Sequence, residues 1–315
     1  MNVNFVDLAF VGIPTFCKFP YVRELEGANA DVAVVGAPLD QGTFDRPGAR
    51  YGPRAIREAS QIYGSAFIPE LGVYDVELGR YKIENTKIID CGDIPVAPTL
   101  CKENLDEITN CIGQVLDSKM FPVVLGGDHS ITYPIIRAYC EKGIPLDIVH
   151  FDAHMDFGDD MAGITISHAN PIKRASELKN VGKITQIGIR GLLNPQTFIE
   201  EGKKRGSKVI TAAEAIKMGT KWVLSQIPKS KNIYVTFDID ALDPSVAPGT
   251  GTPEPGGFTY LQMREMLAAL PKKGNVVGFD VVEVNPLYDP AGVTAQTAAR
   301  LIIDFLAAIR DKNKK

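Results

Sequence analysis

The chain has little cysteine, little tryptophan and no surplus of positive charge. Its 315 residues include five Cys, one Trp and four His. Cys17, Cys91, Cys101, Cys111 and Cys140 form no Cys-x-x-Cys pair, so neither a zinc ribbon nor a dithiol motif is present. Their odd number, and a start without a basic segment or cleavage site, predict reduced thiols and a cytoplasmic protein. The net charge of −4 gives nucleic-acid binding no electrostatic support. No run approaches the roughly 20 apolar residues of a membrane span. Repeats, low-complexity tracts and linkers are also missing. The sequence therefore reads as one domain over 1–315, with residues 1–30 as an arm on its body. A hydrophobic content of 45% and a charged content of 23% suffice for a packed core.

What is present is alternation. Strand-like apolar runs fall at 31–35, 87–90, 122–125, 146–151, 183–189, 207–210, 232–237 and 275–282. Helical patterns separate them at 53–60, 103–116, 129–142, 170–179, 195–204, 212–227, 259–270 and 291–311. This argues an α/β fold whose mostly parallel sheet of about eight strands carries helices on both faces. A closed eight-stranded barrel would alternate in the same way.

Three strand ends carry metal-capable side chains. The run Leu146–Phe151 leads into Asp152, His154 and Asp156, spaced two apart, so the three side chains start on one side of an extended chain. The run ending at Phe237 delivers Asp238 and Asp240, and the run ending at Leu125 delivers His129. Open α/β sheets bind ligands at this edge. Six Asp and His side chains without Cys suit a pair of hard or borderline cations better than one structural zinc. The plainer alternative is a buried acid–histidine network without metal, in which four clustered aspartates would repel one another.

Several long motifs occur in order: Val35–Leu39 (VGAPL), Arg46–Pro53 (RPGARYGP), Gly126–Ser130 (GGDHS), Asp152–Asp156 (DAHMD), Ser167–Asn170 (SHAN), Phe237–Gly257 (FDIDALDPSVAPGTGTPEPGG) and Asp280–Pro286 (DVVEVNP). Over most of the chain they resemble the ureohydrolases, the arginase and agmatinase family, and look more like its agmatinase branch. The resemblance implies a three-layer α/β/α sandwich and two divalent ions, Mn²⁺ first, with Ni²⁺ and Co²⁺ compatible with the same donors. It implies that His129, Asp152, Asp156 and Asp238 hold one ion, and that His154, Asp152, Asp238 and Asp240 hold the other. Glu283 then clamps the guanidinium of the substrate, and His168 shuttles a proton to the leaving amine. The family's histidine is normally followed by Gly, whereas here Ala169 follows. A homo-oligomer, hexamer or trimer, is expected on the same ground.

The implied reaction is hydrolysis of a guanidino compound to urea and an amine, with agmatine to putrescine the first expectation. Two divalent ions about 3.5–4 Å apart can share a water and lower its pKa from ~15.7 toward ~7. Rival readings are an ω-guanidino acid as substrate, a non-catalytic metal-binding subunit, and a different metal-dependent C–N hydrolase. Asp159 and Asp160 are candidates to attract an ammonium, and Lys173 and Arg174 to receive a carboxylate. His150 reads as a hydrogen-bonding core residue. Asp128 reads as the residue that orients His129 or caps its helix.

Overall fold

The computed structural model describes residues 8–68, 70–160 and 163–312. The first seven residues of the expected arm and the last three of the basic tail lie outside them. In chain order the elements are β1 (Val32–Ala37), α1 (Gly52–Gly64), β2 (Phe67–Ile68), β3 (Gly72–Asp75), β4 (Arg80–Lys82), β5 (Ile88–Asp93), α2 (Cys101–Asp117), β6 (Phe121–Gly126), α3 (Thr132–Glu141), β7 (Leu146–Phe151), α4 (Pro171–Ser176), β8 (Val181–Ile189), α5 (Gln196–Lys204), β9 (Lys208–Thr211), α6 (Ala212–Gln226, broken at Gly219), β10 (Ser230–Asp238), α7 (Tyr260–Ala269), β11 (Gly274–Val282) and α8 (Val293–Lys312).

Eight strands form one open sheet in the order β5-β1-β6-β11-β10-β7-β8-β9, and every pairing in it is parallel. The α/β sandwich is therefore the outcome, and the closed barrel is not. Its strands are Val- and Ile-rich and buried on both faces, as parallel strands must be when helices cover each side. Alternation along the strands sorts the side chains into two cores. Val123, Leu125, Val149, Phe151, Val235 and Phe237 pack with Ile56 of α1, Met263 of α7 and Leu301 of α8. Val124, Ile148 and Tyr234 face the other way, toward Ile108 of α2, Ile135 of α3 and Ile172 of α4. Helix starts are set locally: Thr211 with Glu214, and Thr259 with Gln262, each form a reciprocal capping box.

Two features depart from the sequence expectation. Residues 67–82 form a small antiparallel sheet, β2-β3-β4, from strands too short to show a period. The helix expected from 129 opens as a 3-10 turn, His129–Ile131, before α3. The described part of the arm does lie on the body: Phe16 and Cys17 are buried, and the Phe16 amide donates to Asp90 at 2.6 Å.

For function, the decisive point is strand order. β6, β11, β10 and β7 are consecutive neighbours. Their C-terminal ends carry His129, Glu283, Asp238 with Asp240, and Asp152 with His154 and Asp156. Residues more than 150 positions apart in sequence meet at one edge because parallel strands all end on the same side.

Candidate active site

The metal-capable side chains converge as two groups that share Asp152. His129 Nδ1 lies 3.1 Å from Asp152 Oδ2, 3.0 Å from Asp156 Oδ2 and 3.2 Å from Asp238 Oδ2. His154 Nδ1 lies 3.1 Å from Asp240 Oδ2 and 3.4 Å from Asp152 Oδ1. Each Asp152 oxygen thus turns toward a different group, as a bridging carboxylate requires. Asp238 turns one oxygen to the His129 group. Its other oxygen accepts the Asp240 amide at 2.8 Å, a turn that fixes both acids at the end of β10.

Hydrogen bonds decide which nitrogen of each histidine is free. His129 Nε2 is 2.9 Å from Thr236 Oγ1, and that hydroxyl donates to Asp280 Oδ1 at 2.6 Å. The hydroxyl proton is therefore committed to Asp280, His129 donates from Nε2, and its Nδ1 keeps a lone pair. That buried Nδ1 makes no hydrogen bond, and neither does Asp156 Oδ2 beside it. A buried nitrogen and oxygen without a hydrogen bond, ringed by carboxylates, fit a bound cation. Burial, with Asp240 and Asp152 nearby, pushes the Asp238 carboxyl well above its ordinary range in the metal-free chain. A dication at this point would remove that penalty. The chemistry of the donors, carboxylate and imidazole, suits Mn²⁺ and similar ions.

His150 sits among these groups without a free nitrogen. Gln186 Nε2 donates to the Met155 carbonyl at 2.7 Å and lies 3.1 Å from His150 Nδ1. The opposite ring nitrogen donates to Asp152 Oδ2 at 2.7 Å. The reading of His150 as a core hydrogen-bonder agrees with this geometry.

Glu283 and His168 stand on the open side. Glu283 is buried, and its Oε1 accepts the His129 amide at 2.8 Å. His168 Nδ1 lies 3.3 Å from the same oxygen, and the Phe44 amide nitrogen lies 3.2 Å from His168 Nε2. Burial pulls the His168 pKa down, but the hydrogen bond and charge of Glu283, with Asp128 and Asp156 behind it, carry it up to about 9. Glu283 and Asp156 adopt φ of +63° and +52°. For residues with a Cβ this left-handed backbone is strained, and such strain collects where side chains must be aimed. Ala169, by contrast, is not among the positive-φ positions, so the departure from Gly costs no backbone strain.

Asp128 caps the turn: its Oδ1 accepts the Ser130 amide at 2.9 Å. Its Oδ2 accepts the Gly42 amide at 2.7 Å and so ties down the loop 40–51. Asp40 holds the same loop by accepting from Gly48 and Arg50, and Arg46 stacks on Tyr288 at 3.9 Å. Gly127 allows the loop to come this close, because a Cβ there would lie 1.8 Å from the Leu39 carbonyl oxygen.

The loop delivers Phe44 and Asp45 to a cavity of about 450 Å³. His154, Asp156, Asp238, His168 and Glu283 are at its floor and side, and Leu192, Leu193, Pro195 and Phe198 form an apolar wall. Asp159, Asp160, Lys173 and Arg174 do not line it. Lys173 pairs with Glu201 at 2.8 Å, and Arg174 pairs with Asp159 and Glu177. Asp160 accepts the Gly163 amide. Reasoning from sequence missed Thr236, Asp280 and Gln186. Each was visible as a polar residue within a largely apolar strand.

Comparison with known proteins agrees with this geometry. Residues 30–308 match the Arginase family. The chain is 36% identical over 310 residues to the mitochondrial guanidino acid hydrolase of Homo sapiens, covering 95% of this chain and 83% of that one. It is also 36% identical over 313 residues to the mitochondrial agmatinase of Gallus gallus, covering 95% and 86%. A solved structure of a hypothetical agmatinase from Burkholderia thailandensis superposes with a TM-score of 0.85 at 33% identity, over 97% of this chain and 92% of that one. Likeness of sequence and fold across nearly the whole chain makes this protein a member of the arginase family, a ureohydrolase that acts on a guanidino compound.

Proposed function

We propose that the chain hydrolyses agmatine to putrescine and urea, with a pair of divalent cations, Mn²⁺ first, held by His129, Asp152, Asp156 and Asp238 and by His154, Asp152, Asp238 and Asp240. The observation that carries the substrate is the cavity lining. Among the described residues it contains no Lys or Arg, and Asp45 is its one acid outside the metal groups and the Glu283–His168 pair. A substrate with a guanidinium at one end, methylenes between and an ammonium at the other matches floor, apolar wall and rim in turn. An ω-guanidino acid would bring its carboxylate to Asp45 with no cation to receive it.

When bound, the ion pair supplies a hydroxide nucleophile at neutral pH. The protein does the rest. Glu283 Oε1 is occupied by the His129 amide, which leaves Oε2 to accept the guanidinium N–H donors by charge-assisted hydrogen bonds. This holds the central carbon over the metal groups. Attack on that carbon forms a C–O bond, and the C–N bond to the alkylamine breaks. His168, charged at neutral pH beside Glu283, gives the departing amine a proton and becomes a neutral imidazole, and Glu283 stabilises the charged ring again when solvent restores that proton. Leu192, Leu193 and Phe198 give the methylene chain an apolar surface to lie against.

The test is urea release by Mn²⁺-loaded protein from agmatine, guanidinobutyrate, guanidinopropionate and arginine. Agmatine is expected to give the highest kcat/KM, and Asp45→Asn to raise KM for agmatine while leaving kcat nearly unchanged. A preference for either guanidino acid would overturn the assignment of Asp45.

A further inference from the structure

Beneath the candidate metal groups runs a row of buried polar side chains that no step above uses. Strand register places Asp280 of β11 beside Thr236 of β10, Thr236 beside His150 of β7, and His150 beside Gln186 of β8. All four are fully buried and lie on the face shared with Tyr234 and Ile148. Four polar residues in register across four apolar strands are costly unless each is satisfied. Asp280 accepts from Thr132 at 3.0 Å, from Tyr234 at 2.9 Å and from Thr236 at 2.6 Å. No cation pairs with it, so three hydroxyls carry its charge.

The row divides at its middle, with no hydrogen bond between Thr236 and His150. One branch runs Asp280, Thr236, His129. Asp280 takes the Thr236 proton, so Thr236 can only accept from His129 Nε2, and the His129 lone pair is turned to the cavity side. The other branch runs Gln186, His150, Asp152. The Met155 carbonyl fixes the Gln186 amide as donor, the amide protects His150 Nδ1, and the Nε2–H is turned onto Asp152. Each branch has an end that can act in only one direction, a carboxylate or an amide N–H pinned by a carbonyl. Each therefore dictates the tautomer of the histidine it reaches.

We infer that this row is a two-branched support that sets the ligand state of the metal groups separately. The Asp280–Thr236 branch governs only the ion held with His129. The Gln186–His150 branch acts through Asp152, which belongs to both groups, and governs both ions. Thr236, Asp280, His150 and Gln186 are positioning residues. The inference rests on the paired-metal reading above.

The experiment needs no substrate. Metal-free protein is titrated with Mn²⁺, and free ion is followed by its six-line paramagnetic resonance signal. Wild type, Thr236→Val, Thr236→Ser and Gln186→Leu are compared, with melting of each metal-free form as a fold check. Valine keeps the shape of threonine and loses the hydroxyl, while serine keeps the hydroxyl. Loss of such outer hydrogen bonds weakens metal binding about 10–100-fold. Thr236→Val is expected to weaken one ion by that factor and leave the other unchanged. Thr236→Ser restores both, and Gln186→Leu weakens both. Two unaltered ions in Thr236→Val, serine no better than valine, or Gln186→Leu affecting a single ion would each overturn the inference. Fewer than two Mn²⁺ on wild type overturns the paired site itself, and this is seen before any substitution is made.

Discussion

Replacing Asp238 by Asn should make the metal-free protein more stable and the metal-loaded protein less so. Asp238 is buried at the end of β10, and burial with Asp240 and Asp152 raises its carboxyl well above the unfolded value. The native state then holds a proton that the unfolded state has already released, so this group's effect on stability worsens as pH rises above about 4. Each pH unit in that window costs about 1.4 kcal/mol. Asn is neutral and nearly isosteric, and its side-chain oxygen still accepts the Asp240 amide. Asp152 and Asp156 still face His129. Metal-free Asp238→Asn should therefore be more stable than metal-free wild type at pH 7. Metal reverses the order. An ion present at 100 times its Kd adds about 2.7 kcal/mol, so two add about 5. With about 2.1 cal/mol/K of unfolding entropy per residue over 315 residues, that is roughly 8 °C in Tm. The variant lacks the Asp238 charge in the His129 group and should gain about half as much or less. Thermal melts of both proteins, metal-free and with Mn²⁺, give four numbers and one crossing. A metal-free variant less stable than metal-free wild type would refute the argument that these acids repel one another until a cation arrives.

Other outcomes follow from the same geometry. His168→Asn should lower kcat about 10²–10⁴-fold with Mn²⁺ content unchanged, because a proton donor is lost and no ligand is touched; full activity would remove His168 from the proton path. Glu283→Gln should lower kcat/KM by one to two orders of magnitude, since a charge-assisted hydrogen bond is worth roughly 1.5–3 kcal/mol; steady-state kinetics on agmatine decides it. The metal-free protein should melt progressively lower from pH 4 to pH 9. Burial and the charge of Glu283 raise Asp128 to about 6, which costs roughly 3 kcal/mol between pH 4 and 6, and the contribution of His168 is complete below 6.5 and lost as pH passes 9; a flat or rising profile would contradict both shifts. Gly127→Ala should cost about 3 kcal/mol, the upper end for overpacking, because its Cβ meets a backbone carbonyl that cannot swing aside; a wild-type melting temperature would show that the loop at Leu39 yields.

Most of the sheet and the gathering of Asp and His side chains at its edge were legible in the sequence for one physical reason. In a parallel sheet the strands are apolar on both faces, so they stand out as runs, and the polar residue that ends a run sits at the ligand-binding edge. Asp152, Asp238 and His129 follow that rule. Which strands lie side by side is another matter. That β11 falls between β6 and β10, and so brings Glu283 beside His129, is set by packing among distant segments. The β2-β3-β4 sheet was invisible because strands of two to four residues, half exposed, leave no period to detect.

Asp45 and the buried polar row were hidden in different ways. Asp45 lies in a loop of ordinary turn composition, and nothing in residues 40–51 tells that Asp40, Asp128 and the Tyr288 ring hold it against the cavity. Lys173 and Arg174, which follow His168 closely in sequence, looked better placed to meet a substrate. Helix α4 turns them instead toward Glu201 and Glu177. Thr236, Asp280, His150 and Gln186 were in plain view as polar residues within largely apolar strands, and each alone is ordinary. Their meaning comes from register, since a shift of one residue in any strand would put its polar side chain on the opposite face. The strand pairing that builds the sheet is therefore the same set of contacts that orients His129 and Asp152.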